Sequence, residues 1–285
     1  MKPELTEILA CPACRGAISA DENGALACPA CSWHAPAQNG VPLITTPPQG
    51  IVPSGKLLRG PQIGTPWRRA NWRFLQQQVA RLDAEALILD VGAGRGDFAD
   101  LFENRNYLAL DVYPYPEVDM VCDLTQINPF RPESFDAILL LNVMEHVYDT
   151  QALLASLARM LKPGGVILVA IPFLVKIHQA PIDFVRYTHY ALERLAEDAG
   201  LKVDMLEGYY DPVFFLGEGM GNLRHAVLPT MEGWRRFLAR AGIAGIEGCA
   251  NLLNRLVGAG KSLPPEKVRS SAPTGYQVVY RKGAL

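Results

Sequence analysis

Residues 87–96 read Leu87-Ile88-Leu89-Asp90-Val91-Gly92-Ala93-Gly94-Arg95-Gly96. The first five are apolar but for one carboxylate, too short a run for a helix and right for a buried strand. Glycines alternate through the next five, and Asp97 to Glu103 then return to helical periodicity. Strand, glycine loop and helix open a doubly wound α/β domain, with a ligand at the loop. The glycine spacing narrows the ligand. A dinucleotide fingerprint needs glycine at position 97, where this chain has Asp97. A P-loop needs Gly-Lys-Ser/Thr, which is absent, and a carboxylate at the helix start repels pyrophosphate.

Working outward, Tyr107-Leu-Ala-Leu-Asp111-Val112 is a second strand, its carboxylate 19 residues after Gly92 and suited to accept ribose hydroxyls. Val118 to Asp123 is a short third strand. Ala137 to Leu141 is a buried fourth, followed by Asn142-Val-Met-Glu145-His146-Val147 and a helix to Met160. Leu161-Lys-Pro-Gly-Gly165 turns into a fifth strand ending near Ala170. Upstream, Trp72, Leu75, Val79 and Leu82 recur at helical spacing over Ala70–Leu82, with Arg69, Arg73 and Arg81 off that face. Downstream come a helix from Thr188 to Ala199 closed by Gly200, a strand over Leu201–Glu207 and a final alternating strand over Tyr276–Arg281. An insert at about 212–270 is expected to hold helices around Met231–Ala241 and Ile246–Val257, with Trp234, Phe237, Leu238, Leu252, Leu253 and Leu256 as their apolar positions.

Asp90-x-Gly92-x-Gly94-x-Gly96, Asp111, Asp123-Leu124 and the Asn142 segment, in this order over residues 87–172, resemble the class I S-adenosylmethionine-dependent methyltransferases of the type 11-like group. The resemblance implies an α/β fold: a Rossmann-like seven-stranded sheet with the last strand antiparallel beside the fifth. It implies S-adenosyl-L-methionine as cofactor, held by Asp90, Gly92, Gly94 and Gly96, by Asp111 and Val112, by Asp123 and Leu124 at the adenine, and by Asn142. The acceptor then lies over the ends of the fourth and fifth strands, near Asn142, Glu145, His146 and residues 173–189. His178-Gln-Ala-Pro-Ile-Asp183-Phe-Val-Arg186-Tyr187-Thr188 gathers His, Asp, Arg and Tyr in eleven residues. Histidine has a near-neutral pKa, which makes His178 the first candidate base and His146 the second. Glu145, Asp183, Arg186 and Tyr187 are candidate substrate contacts. The competing readings are a structural Asp183–Arg186 pair, a Thr188 helix cap and a pocket-shaping His146.

Cys11-Pro-Ala-Cys14 and Cys28-Pro-Ala-Cys31 are two C-x-x-C pairs separated by 13 residues. Each knuckle sets two thiolates on one side of a turn, and the four complete a tetrahedral site suited to structural Zn2+. Duplicate pairs outside any thioredoxin-like pattern argue against redox chemistry, and no secretion signal favours disulfides. The frame with Gly40-Val41-Pro42 resembles the small zinc ribbons that activate tRNA, rRNA and release-factor methyltransferases. We therefore divide the chain into a small β zinc ribbon (1–48), a linker (49–66) and a methyltransferase domain (67–285) with a helical insert before the last strand, and expect the ribbon to pack on its own catalytic domain. His34 reads as a bystander, Cys122 as a buried strand thiol and Cys249 as an apolar helix position.

The composition, 49% hydrophobic and 20% charged, excludes a disordered chain, and no apolar run is long enough to span a bilayer. A cytoplasmic protein is expected. Net charge is −2, yet residues 212–285 hold 10 basic and 4 acidic groups. The leading expectation is methylation of a small molecule or a glycan- or lipid-linked biosynthetic intermediate, with the basic insert as a lid, a dimer contact or a peripheral membrane contact. The alternative is an rRNA or tRNA base methyltransferase whose ribbon docks RNA beside Arg68, Arg69, Arg73 and Arg81.

Overall fold

The computed structural model describes residues 3–48, 58–211, 217, 219–221, 223–257, 261–263 and 273–284. Parts of the expected linker (49–57) and insert (212–216, 218, 222, 258–260 and 264–272) fall outside them. The first 48 residues are too few for a large core and build only short elements. These are α1 (Pro3–Ile8), a three-stranded sheet of β1 (Ser19–Ala20), β2 (Leu26–Ala27) and β3 (His34–Ala35), and a hairpin of β4 (Ala37–Gln38) and β5 (Val41–Pro42).

After the linker, Thr65 caps α2 (Pro66–Val79), its hydroxyl accepting from the Arg68 amide and Pro66 filling the first turn. The strands follow as β6 (Leu87–Val91), β7 (Asn106–Asp111), β8 (Met120–Val121), β9 (Phe135–Leu141), β10 (Leu161–Pro172), β11 (Leu201–Tyr210), β12 (Lys261–Leu263) and β13 (Gly275–Lys282), with α3 (Thr150–Met160) before β10 and α4 (His189–Asp198) before β11. Their order is β12-β11-β13-β10-β9-β6-β7-β8. The seven expected strands are present, β13 runs antiparallel beside β10, and the three-residue β12 adds an eighth at the β11 edge.

The sheet is buried on both faces, so its strands alternate between two apolar layers. In β9 and β10, Ala137, Leu139, Leu141, Val166, Leu168 and Ala170 join Trp72, Leu75 and Val79 of α2. Ile138, Leu140, Ile167, Val169 and Ile171 join Leu153, Leu154 and Leu157 of α3 and Leu192 of α4. The second layer does not stop at the domain boundary. Leu5, Leu9 and Leu26 of the ribbon belong to it, beside Phe130 and Phe135.

Backbone pairing fastens the ribbon at two places. Leu9 bridges Phe130, with the Ala10 amide donating to Pro129 O at 2.7 Å and the Arg131 amide to Ile8 O at 2.8 Å. Leu43 bridges Val121 in parallel, and the Ile44 amide donates to Val121 O at 2.8 Å, which covers the exposed edge of β8. The Arg15 guanidinium donates to the carbonyls of Asn128 (3.0 Å) and Phe130 (2.6 Å). The ribbon thus packs on its own catalytic domain, as expected.

Three local readings change. After the glycine loop the chain makes only a 3-10 turn, Ala99–Phe102, because the carbonyl of Asp97 accepts from Arg68 and its side chain from the Leu58 amide (3.0 Å). The two helices expected around Met231–Ala241 and Ile246–Val257 are one continuous helix, Gly233–Val257, preceded by a π-helical turn at Leu223–Val227. Cys249 on that helix is exposed, not apolar core. Among the described residues no helix is long and apolar enough to cross a membrane.

Candidate active site and metal centre

The ribbon brings its four cysteine sulfurs within 4.8 Å of one another. Cys11 and Cys31 Sγ lie 3.6 Å apart, and Cys14 and Cys28 Sγ 3.5 Å apart. Zn–S bonds of about 2.3 Å give a tetrahedron with edges of about 3.8 Å, so the set fits a four-thiolate zinc. All four are free thiols. His34 is exposed and turns toward Ser32 O.

At the carboxyl end of β6 the glycine loop needs left-handed backbone at Gly92 (φ 74°), Gly94 (φ 57°) and Gly96 (φ 73°). Gly92 is doubly constrained, since a Cβ there would collide with the Val143 side chain. The Gly94 amide donates to Asp111 Oδ2 (2.8 Å) and the Tyr113 amide to Asp111 Oδ1 (2.9 Å), which fixes the buried carboxylate at the end of β7. Burial pushes the Asp111 carboxyl above its ordinary range and raises Asp90 further, to about 7, against the lowering effect of the Tyr107 hydroxyl that donates to it at 2.6 Å.

Two cavities meet at Gly92. The larger, about 410 Å³, is lined by Gly92, Asp111, Val112, Asp123, Leu124 and His146 among others. The smaller, about 220 Å³, is lined by Asp90, Gly92, Gly94, Asn142 and Gln179. Of the nine candidate cofactor residues only Gly96 lines neither; its role there is to shape the loop. The pair of cavities offers a carboxylate-bearing apolar chamber and a glycine-walled one, the two environments an adenosine and a charged methionine require. A cleft of about 620 Å³ by Gly164 and Arg281 contains none of the candidates and opens at the other end of the strands, where Ala86 and Val166 lie.

Local bonds already engage some groups. Asp123 Oδ1 accepts from the Thr125 amide (3.0 Å) and hydroxyl (2.6 Å), and Oδ2 from Gln126 (2.6 Å). Its amide donates to Thr45 Oγ1 at 3.0 Å, and Pro48 lines the larger cavity, so the arm leaving the ribbon reaches that cavity. Asn142, at φ 54°, accepts from the Trp67 indole at 2.8 Å. Neither the Thr45–Asp123 nor the Trp67–Asn142 hydrogen bond had a local sequence signal, because each joins residues remote along the chain.

Beside the larger cavity, Glu145, His146, His178, Asp183 and Arg186 form one cluster. Glu145 is fully buried, neither carboxylate oxygen has a hydrogen-bond partner, and burial raises it to about 8. His146 Nε2 and His178 Nε2 stand 3.7 and 3.8 Å from the same oxygen, Glu145 Oε1. Those separations are too long for hydrogen bonds. His146 Nδ1 pairs with Ile182 O at 2.7 Å, and burial lowers its pKa. Asp183 and Arg186 make the bidentate pair that the structural reading anticipates (2.5 and 2.8 Å), and the arginine's hydrogen bonds hold Asp183 down at about 2. Tyr187 donates to Thr150 Oγ1 at 2.7 Å, and Thr188 caps α4 through the Ala191 amide. The sequence nominated His178 and His146 as candidate bases; the structure brings both beside the buried Glu145.

The methyltransferase-domain family matches residues 67–206, and the Trm112p-like family matches residues 2–34. A probable S-adenosylmethionine-dependent methyltransferase of Mycolicibacterium smegmatis is 26% identical over 198 residues, 62% of this chain and 75% of that protein. The probable tRNA methyltransferase 9B of Bos taurus is 32% identical over 115 residues, 36% of this chain and 24% of that protein. The ubiquinone biosynthesis O-methyltransferase of Rhodopseudomonas palustris is 33% identical over 97 residues, 34% of this chain and 35% of that protein. The chain thus spans about a quarter and about a third of the latter two. With the glycine loop, the paired cavities and the four-cysteine cluster in place, the chain carries a class I S-adenosylmethionine-dependent methyltransferase domain over residues 67–206 and, before it, a Trm112-like region that can bind zinc.

Proposed function

We propose that the methyl acceptor is a small molecule or a glycan- or lipid-linked biosynthetic intermediate, met at an anionic membrane surface. The exposed face of the insert helix carries this reading. Trp234 and Phe237 are each 71% exposed and Leu256 76%, with Leu252 and Leu253 beside them and Arg235, Arg236 and Arg240 on the same helix. Arginines interleaved with Trp, Phe and Leu suit an interfacial helix whose apolar face enters the headgroup region.

The bound cofactor supplies an electrophilic sulfonium methyl group. The chain's part is to hold it with Asp111, Asp123 and the loop from Gly92 to Gly96, and to align the acceptor's lone pair behind the methyl carbon. An oxygen or neutral nitrogen acceptor must also lose a proton. The polar cluster of Glu145, His146 and His178 is where that loss is assisted, since His146 lines the cavity and Gln179, next to His178, lines its neighbour.

The similarity to the tRNA methyltransferase 9B supports a second reading, RNA methylation. Of the four arginines expected to face RNA, Arg73 and Arg81 are exposed and Arg69 half-buried, but the fourth is not available. Arg68 is buried and spends its guanidinium on the carbonyls of Leu58, Gly60, Ile63 and Asp97. Incubation with radiolabelled S-adenosylmethionine and extract from the source cells, followed by fractionation, separates the two. Label in the organic-soluble or small polar fraction supports the first reading; label confined to RNA sinks it.

A further inference from the structure

The geometry points to a second metal site, distinct from the four-cysteine cluster, in which Glu145, His146 and His178 bind a divalent first-row transition ion. Their donor atoms lie within 4.8 Å of one another, on three residues that the β9–α3 connection and the loop after β10 bring together. The carboxylate is the independent sign. A buried carboxylate with neither oxygen hydrogen-bonded is costly, and proteins satisfy such groups with a partner, a proton or a metal.

The distances favour the metal. Two ligands bound at about 2.1 Å stand about 3.4 Å apart at a tetrahedral angle and about 4.2 Å apart when opposed. The two Nε2 atoms approach Glu145 Oε1 at 3.7 and 3.8 Å, inside that interval and outside hydrogen-bonding range. The outer groups also match. A ligating imidazole gives its other nitrogen's proton to a carbonyl or carboxylate. His146 Nδ1 lies 2.7 Å from Ile182 O, which leaves Nε2 with its lone pair. His178 Nδ1 lies 3.3 Å from Lys176 O and 3.4 Å from Asp183 Oδ2, two acceptors nearer than the Arg186 Nη2 donor at 3.5 Å, which favours a proton on Nδ1 and a lone pair on Nε2. Arg186 would oppose a cation, but Asp183 neutralises it through two hydrogen bonds, and Glu145 is the carboxylate of the cluster with no hydrogen-bond partner of its own.

Two imidazoles and one carboxylate are a donor set for zinc, iron or manganese rather than for calcium or magnesium, which prefer all-oxygen shells. Three protein ligands leave at least one position open, the pattern of a site that receives a substrate atom. Since His146 lines the cofactor cavity, the matching acceptor is one that presents an oxygen; that clause rests on the acceptor reading above, whereas the metal site does not.

Metal counting after equilibrium dialysis of the full chain against Zn2+ tests the site without any turnover assay. Two zinc ions per chain are expected for the native protein, and one for Glu145→Gln and for His178→Ala. Asp183→Asn keeps all three ligands and should weaken the second ion about 10- to 100-fold. Co2+ added to protein that carries a single zinc, in the four-thiolate site, should give a visible spectrum free of thiolate charge transfer, absent in Glu145→Gln. One zinc in the native chain, two in both ligand variants, or only thiolate-type cobalt bands would each overturn the assignment. If the second metal is present while methyl label appears only in RNA, the site stands and the acceptor reading falls.

Discussion

At Gly92 the backbone is left-handed and the space for a side chain is already taken by Val143. Gly92→Ala should therefore cost about 1–3 kcal/mol of stability from the φ strain alone. A thermal melt reads that loss, and calorimetric titration should read weaker S-adenosylmethionine binding, because both cavities share this residue. Asp90 offers a test by pH. Its carboxyl is raised to about 7 by burial, so the folded state holds a proton that the unfolded chain releases near pH 4. Native stability should fall as pH rises from about 4 to about 7 and level off above, by an amount on the order of a few kcal/mol. Asp90→Asn, which can still accept from Tyr107, should flatten that slope; an unchanged slope in a denaturant titration series would refute the assignment. The sequence disclosed these positions because glycine and a strand-end carboxylate are local signals. It did not disclose that Glu145 lacks a partner, which depends on where residues 33 positions downstream fold back.

Among the elements, β8 and the insert helix mark where local patterns ceased to be informative. The two-residue β8 is too short to hold a sheet edge alone, and Leu43 to Thr45 cover it. The ribbon's other anchor is Leu9, fully buried beside Phe130. Leu9→Ala should cost about 2–5 kcal/mol while the four-thiolate zinc is retained, as differential scanning calorimetry with metal analysis would show. A large-domain melt indifferent to this change would mean that the interface contributes nothing. The strands β6, β9 and β10 were legible as apolar runs, since a strand buried on both faces carries apolar side chains at nearly every position. The helix expected from Asp97 was not, because Arg68 and Leu58 draw on Asp97 from across the linker. Two helices were read over Met231–Val257 where one runs through: Gly242, Gly245 and Gly248 weaken a helix, but each has open space and needs no left-handed turn.

For the molecule as a whole, charge and apolar exposure coincide. The basic excess of residues 212–285 and the large exposed aromatic side chains Trp234 and Phe237 fall in the same segment. Changing Trp234, Phe237 and Leu256 together to Ser should weaken co-sedimentation with anionic vesicles at least about 100-fold, since each buries about 1.5–3 kcal/mol of apolar side chain. The melting temperature should stay unchanged; vesicle binding that survives the triple change would remove the membrane reading. Cys28→Ser should act in the opposite way, lowering the melting of ribbon and catalytic domain in a single transition, because they share one apolar layer. The pairing of Leu43 with Val121 has one more consequence. A cover supplied by a separate chain would come off as the solution is diluted, and activity would then vary with concentration. Here the cover is tethered to the edge it protects, so its local concentration is fixed by the chain itself. Specific activity should accordingly be the same at the scarcest and the most abundant expression, with no stoichiometry for the cell to balance.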